Sequence, residues 1–370
     1  MLVGAIFAGN YKKSMTNNRL LILPRYTSKG PSSRVRFYQY LPYLEEAGFI
    51  FDVHPFFGDA YIDALFNRDP QNILGIISSY FHRVFTILKS SRYDLVWMQY
   101  ELLPFIPYSL EKIFLKGRTK LVVDYDDAVF HRYDTHPQRL IRSLLGNKID
   151  RIMKSATMVI AGNPYLADRA FQAGSKRVEI LPSVVDLQRY PLDGFKQING
   201  EPPRIGWLGT PATSQHLLVI ENVIKNILLD GFRFIIIGAD SPKAFSSYPV
   251  ESLKWSPDKE TELIKSLNVG VMPLKDAPFE RGKCGYKLIQ YMACGIPVIA
   301  SPVGVNKEIV DHGKNGFLAS NEDEWMEALI KLKADAGLRQ YLGLNGRKLV
   351  EEKYSLQVCS PKLLALLKGL

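Results

Sequence analysis

The chain has 370 residues, 46% of them apolar and 23% charged, and a formal net charge of +10. That composition excludes a disordered or low-complexity chain, the length suits about two domains at roughly 150 residues each, and the positive charge predicts an anionic partner without naming it. Cys284, Cys294 and Cys359 form neither a disulfide framework nor a CxxC pair, and six histidines show no metal-binding spacing such as HExxH.

The opening MLVGAIFAGNYKK has no positive region ahead of its apolar part, which makes it a poor signal peptide. No apolar run reaches the roughly 18 to 20 residues that span a bilayer. The natural start is either Met1 or Met15, the second leaving Met1 to Ser14 as an extension. With so few cysteines a reducing compartment is expected, hence a cytoplasmic protein, associated with the inner face of the membrane if its positive charge meets anionic lipid.

Apolar β-rich runs then alternate with helical spacings, the pattern of α/β domains with parallel sheets. Strands are expected at Leu20–Arg25 and at FIFDVHPF, YDLVWMQY, KLVVDYD and TMVIAGN. The segment SSRVRFYQYLPYLEEAG between the first two reads as one helix stopped by Gly48. In the preceding loop, TSKGPSSRVR, Gly30, Ser33 and Arg34 stand at a strand-to-helix junction. Ser33 is a candidate N-cap, and Arg34 a candidate contact for a donor phosphate or an anionic acceptor. Glu101, after the third strand, either faces a cleft or forms a structural salt bridge.

NILGIISSYFHRVFTILKSSR and PQRLIRSLLGNKIDRIMKS mix wide apolar faces with Arg and Lys. The first is a candidate border for a lipid-carrying acceptor and the second for an anionic membrane surface; core packing against the sheet is the competing reading of both.

The fourth strand runs into DYDD. Ligands in open α/β sheets collect at the carboxyl ends of strands, so Asp124, Asp126 and Asp127 have three readings: divalent-metal ligands, contacts for a substrate hydroxyl, or a helix cap and a partner for Arg132.

After the Pro- and Gly-rich YPLDGFKQINGEPPR a second series begins: strands at PRIGWLG, FRFIIIGAD, VGVMPL and IPVIASP, helices near 215–229, 258–267 and from Gly285, and a wholly helical stretch from Glu322 to Leu370. The domains expected are 1–189, a linker over 190–203, a second domain over 204–350, and a helix over 351–370 that packs back on the first. No GxGxxG or GxxxxGK[ST] follows a strand, which removes the motif support for nicotinamide dehydrogenases and P-loop ATPases. RNP, KH, zinc-finger and helix-turn-helix signatures are missing and the basic residues are scattered, so no nucleic acid is expected.

The densest chemistry lies in ERGKCGYKLIQYMACG. Gly282 and Gly285 allow close backbone approach, and the following helix, near Tyr286 to Ala293, offers its N-terminal amides to a phosphate. Lys283 and Lys287, four residues apart, would flank the same anion. A diphosphate is the expected guest; solvated lysines on a turn shaped by the glycines are the plain alternative.

This stretch, together with MPL ahead of it, EIVDHGKNGFLA after it and ILPSVVDLQRY across the domain junction, resembles the family-4 glycosyltransferases of the GT-B fold. The resemblance implies two Rossmann-like domains with parallel sheets facing an interdomain cleft. It implies sugar transfer from a nucleotide diphosphate sugar to a glycan or lipid-linked acceptor, without metal or other cofactor, in surface polysaccharide or glycolipid assembly. The C-terminal half would hold the donor and the N-terminal half the acceptor. Two departures stand out. The Glu pair that such enzymes carry before this helix falls on Gly282 and Gln290, and the usual Arg and Lys after the first donor-domain strand are replaced by GWLGTPATSQH, with Thr210 and His216. Lys283, Lys287, Gly209, Thr210 and Tyr286 are then the expected donor contacts, with Gln290 at a ribose hydroxyl. Asp126 and Asp127 take about the place where relatives put a His near the donor sugar. They become candidates to orient or deprotonate the acceptor hydroxyl, against a metal-binding DxD role of the GT-A kind. A non-catalytic nucleotide-sugar-binding shell and a nucleotide-sugar epimerase are the alternative functions.

Overall fold

The computed structural model describes residues 19–114, 119–192 and 202–370. Met1, Met15 and most of the 190–203 linker lie outside them. The first sheet comprises β1 (Arg19–Leu23), β2 (Ile50–Val53), β3 (Leu95–Gln99), β4 (Lys120–Tyr125), β5 (Met158–Ala161) and β6 (Val178–Ile180), in the order β2-β1-β3-β4-β5-β6. The second comprises β7 (Arg204–Leu208), β8 (Arg233–Ile237), β9 (Val250–Leu253), β10 (Val269–Met272), β11 (Val298–Ala300) and β12 (Gly316–Leu318), in the order β12-β11-β10-β7-β8-β9. All these pairings are parallel. Helices cover both faces, so strands such as LVWMQ are buried at every position and read as unbroken apolar runs.

β6, β9 and β12 are the strands that apolar patterning does not reveal. Each is the outermost strand of its sheet. An edge strand pairs on one side only; VEI and VESL are short and only partly buried, and GFL, though mostly buried, has just three residues, so they carry little hydrophobic signal. The helix expected over residues 32–48 is also corrected. Pro42 has no N–H for the carbonyl four residues back. The chain therefore passes from the helix Pro31–Arg36 through a 3₁₀ turn, Tyr38–Tyr40, into the helix Leu41–Glu46. Gly48 does end it, at φ +82°, while the Phe49 amide donates to the Leu44 carbonyl at 3.0 Å.

From Glu322 onward the chain is helical in three segments, and the last, Leu356–Lys368, returns to the first domain. It inserts Leu356, Cys359, Leu363 and Leu367 against Ile22, Phe37 and Trp97 on one face of the first sheet. The two crossings between domains run side by side: the Val185 amide donates to the Tyr354 carbonyl at 3.1 Å, and the Leu356 amide to the Val185 carbonyl at 2.8 Å. Among the described residues no helix is long and apolar enough to cross a membrane.

Candidate active site

The three aspartates at the end of β4 turn to three different sets of partners. Strand alternation sends Asp124 to the side of the helix Pro31–Arg36, where Arg36 holds it bidentately at 2.8 and 3.1 Å and donates also to the Leu181 carbonyl at 2.8 Å. That buried pair ties the first helix to β4, and Asp124 has no part in a shared acidic cluster. Asp126, one residue past the strand, accepts from Ser32 Oγ at 2.9 and 2.7 Å and from the Tyr100 hydroxyl. Ser32 is steadied in turn by Gln99 Nε2, which donates to its Oγ at 2.6 Å. Tyr100 occupies the left-handed region at φ +62°, a conformation that bulky residues adopt only where the surroundings hold them. Asp127 turns the other way, toward the second domain, with Lys283 Nζ at 3.7 Å. Burial raises its carboxyl above the ordinary range, with Lys283 opposing the shift. Among the described residues no group of three or more His, Cys, Asp or Glu is placed to hold a metal ion.

The opposite wall comes from the second domain. Gly285, at φ +64°, starts the helix Tyr286–Ala293 with no side-chain cap, and among the described residues the Tyr286 and Lys287 amides have no backbone acceptor. Lys283 and Lys287 stand at this end. Lys287 lies over the Trp207 ring, 5.4 Å from its centroid, without an ion pair among the described residues. Burial, with Lys283 close by, lowers its ammonium to about 8. His216, in the turn after β7, is brought down to about 4 by burial and by both lysines, so its ring is neutral at pH 7. Gly209 and Thr210 close the wall: a Cβ on Gly209 would lie 2.2 Å from the Trp207 ring, and the Thr210 amide donates to Thr213 Oγ1 at 3.2 Å. Two ammonium groups, one carboxylate and helix-start amides without a backbone acceptor leave this corner with positive charge in excess.

The two walls touch. Asn163 Nδ2 donates to the Gly282 carbonyl at 2.9 Å and the Lys283 carbonyl at 3.1 Å, while its Oδ1 caps the helix Pro164–Gln172. Cys284 Sγ donates to the Asp126 carbonyl at 3.2 Å. A Cβ on Gly282 would lie 2.4 Å from Ala128 Cβ, and one on Gly162 2.3 Å from Cys284 Sγ. The space beside Gly282 is therefore filled by the first domain rather than kept for a ligand. At the far end of the cleft the Arg34 guanidinium lies over Trp255, 5.0 Å from the ring centroid, and its Nη1 reaches the Ser28 carbonyl at 3.3 Å.

Two candidates, Ser33 and Gln290, sit elsewhere than expected, and Glu101 takes the second of its two readings. The N-cap of the first helix is Gly30, backed closely by Tyr26, with Pro31 next. Ser33 is buried inside the helix, donating to Gln99 Oε1 at 2.6 Å and accepting from the Tyr26 amide at 2.9 Å. Glu101 is buried among Arg25 (3.4 Å), Lys148 (2.7 Å) and the Tyr133 hydroxyl (2.8 Å), the structural salt-bridge outcome. Gln290 is buried with its Nε2 at 3.5 Å from the Tyr190 hydroxyl, which donates to Glu260; Trp255 Nε1 donates to the same carboxylate at 2.7 Å. Tyr100, Asn163 and Trp255 went unnoticed in the sequence. Only Asn163 carried a local signal, an Asn before Pro that marks a helix start, and that signal says nothing of the second domain.

Residues 202–335 match the family model described as Glycosyl transferases group 1. A probable sucrose-phosphate synthase of Thermosipho melanesiensis is 32% identical over 168 residues, 40% of this chain and 38% of that one; the chain thus spans under two fifths of that relative. An uncharacterised 41.2 kDa protein in the cps region of Klebsiella pneumoniae is 26% identical over 273 residues, 70% of this chain and 74% of that one. In solved structures the sucrose-phosphate synthase of Thermosynechococcus elongatus superposes with a TM-score of 0.73 at 17% identity, over 95% of this chain and 98% of that one. HepE of Anabaena, in complex with UDP, superposes with a TM-score of 0.67 at 16% identity, over 95% and 100%. The fold is GT-B.

Proposed function

We infer that this GT-B protein, whose C-terminal half matches the group 1 glycosyl transferases, is itself a glycosyltransferase taking its sugar from a nucleotide diphosphate sugar. The observation that carries the reading is the anion site at the cleft: Lys283, Lys287 and the uncapped start of the helix Tyr286–Ala293, opposed by Asp127. As the glycosidic bond breaks, negative charge grows on the leaving diphosphate, and fixed cations and amides stabilise it without reorganising. The chemistry then needs neither a metal nor a cofactor. Asp127, raised by burial, is the group that accepts a hydrogen bond or proton from the acceptor hydroxyl; Asp126 is a positioning residue, held by Ser32 and Tyr100. The acceptor is a glycan or a lipid-linked saccharide, and the protein works in surface polysaccharide or glycolipid assembly at the cytoplasmic face of a membrane. The relative from a cps region supports that setting.

The loss of the Glu pair, with Gln290 buried against Tyr190, favours one second reading: a shell that binds a nucleotide sugar without turning it over. Thermal-shift measurements with UDP, GDP, ADP and their sugars, followed by hydrolysis and transfer assays in EDTA, separate the two. We expect stabilisation by one nucleotide series and turnover that survives the chelator. Saturable binding with no turnover on any donor and acceptor would leave the binding shell. Turnover lost in EDTA and restored by manganese would overturn the metal-free reading.

A further inference from the structure

The helix Ile73–Leu88 buries one side against the first domain and leaves the other without a protein partner. Ile73, Ile77, Phe81, Phe85 and Leu88, each 46–70% exposed, recur every three or four residues, an arc of about 120° on a helix of 3.6 residues per turn. Neighbouring segments continue the face. Phe105 is 52% exposed and held at φ +58°, and Ile113, Leu140 and Leu144 are exposed on the helices Tyr108–Phe114 and Arg139–Leu145. An apolar face spread over three helices is far more than the scattered exposed side chains of an ordinary surface.

Charge identifies what covers it. Residues 73–92, 105–114 and 139–145 contain no exposed carboxylate; their single acid, Glu111, is buried and paired with Lys148 at 2.8 Å. Lys89, Arg92, Lys112 and Arg139 are exposed around the apolar residues, with Arg142 half-buried. An apolar stripe whose own segments expose cations and no carboxylate matches the interface of a bilayer carrying anionic headgroups. The helix Ile73–Leu88 also touches the segment that follows Tyr100. Tyr80, on the same helix, donates to the Pro104 carbonyl at 2.7 Å, four residues beyond Tyr100, which holds Asp126.

We propose that the face built by the helices Ile73–Leu88, Tyr108–Phe114 and Arg139–Leu145 with Phe105 seats the protein on an anionic lipid bilayer, cleft mouth beside the headgroups. The inference deepens the reading above, because a lipid-linked acceptor would be met in place. Its test is independent of that reading, since vesicle binding is measured without nucleotide.

The experiment is flotation of the full chain with vesicles of phosphatidylcholine alone and of phosphatidylcholine with phosphatidylglycerol. We expect binding to the anionic vesicles only, weakening with salt. The double substitution Phe81→Ser with Phe85→Ser should lower partitioning at least about tenfold. Lys112→Gln and Arg139→Gln should each lower it by roughly fivefold. All these side chains are exposed, so melting temperature and any nucleotide-induced stabilisation should hold at parent values. Equal binding to both vesicle types, no binding to either, or full retention by the double variant would overturn the proposal. So would a dimer in sedimentation velocity that Phe81→Ser splits, because the face would then belong to self-association. A protein that floats normally yet binds no nucleotide would leave this inference standing and remove the transferase reading.

Discussion

Lys283 and Lys287 are half-buried, and among the described residues Asp127 is the one carboxylate that pairs with Lys283 while Lys287 has no ion pair; this imbalance makes the corner testable. Replacing either with Met keeps much of the aliphatic stem and removes the charge. A charge-assisted hydrogen bond is worth about 1.5 to 3 kcal/mol, so kcat/KM should fall roughly 10- to 150-fold. The loss should appear mainly in kcat, because the leaving diphosphate is more charged in the transition state. Activity within about twofold of the parent in both variants would move the search to Arg34, Arg204 and His216. Lys287 adds a pH signature. Its ammonium is lowered from 10.5 to about 8, so between those values the unfolded chain binds more protons, and its contribution to folded stability rises with pH through that window. A bound diphosphate pulls the value back up. Nucleotide binding near pH 8.5 should then take up protons, read by calorimetry in buffers of different ionisation enthalpy, and affinity should weaken above about pH 8. Lys287→Met should abolish the uptake.

At the scale of elements, the helix Leu356–Lys368 is covalently part of the C-terminal half yet supplies core to the first sheet. Leu363 is buried there against the cluster around Trp97. Leu363→Ala should cost about 2 to 5 kcal/mol, as truncation of a buried leucine does, lowering the urea midpoint of the first domain's transition while the second domain's is unchanged. Central strands and long helices were legible because their apolar spacing is local. The edge strands were not, for VEI and VESL are half-solvated segments recognisable only beside the strands they pair with. The break at Pro42 had its cause in plain sight, but apolar spacing on either side of the proline concealed it.

For the whole molecule, the contact that counts is the one between domains. Gly282 has an ordinary φ of −82°, so its own domain would accept Ala; the clash is with Ala128 across the cleft, 2.4 Å from the added Cβ. Gly282→Ala should leave stability within about 1 kcal/mol, enlarge the radius of gyration in X-ray scattering, and reduce turnover. Ala128→Gly in the same chain should relieve only part of the expansion, because the Ala128 backbone nitrogen, 2.9 Å from the added Cβ, stays in place. A compact, fully active Gly282→Ala protein would show that the domains need not touch here.

The sequence by itself determined two parallel α/β halves, an interruption between them, and a helix start carrying glycines and lysines, since all of these follow from hydrophobic period and near neighbours along the chain. Only the tertiary structure decided which aspartate of DYDD faces the second domain. Asp124 is taken by Arg36, 88 positions away, Asp126 by Ser32, 94 away, and Asp127 is left facing the second domain. Glu101 and Ser33 were likewise taken into buried networks, and Asn163 was joined to a carbonyl 119 positions distant. Hydrogen-bond partners are chosen by where folding brings chain segments together, and no local spacing encodes a partner that lies on another element.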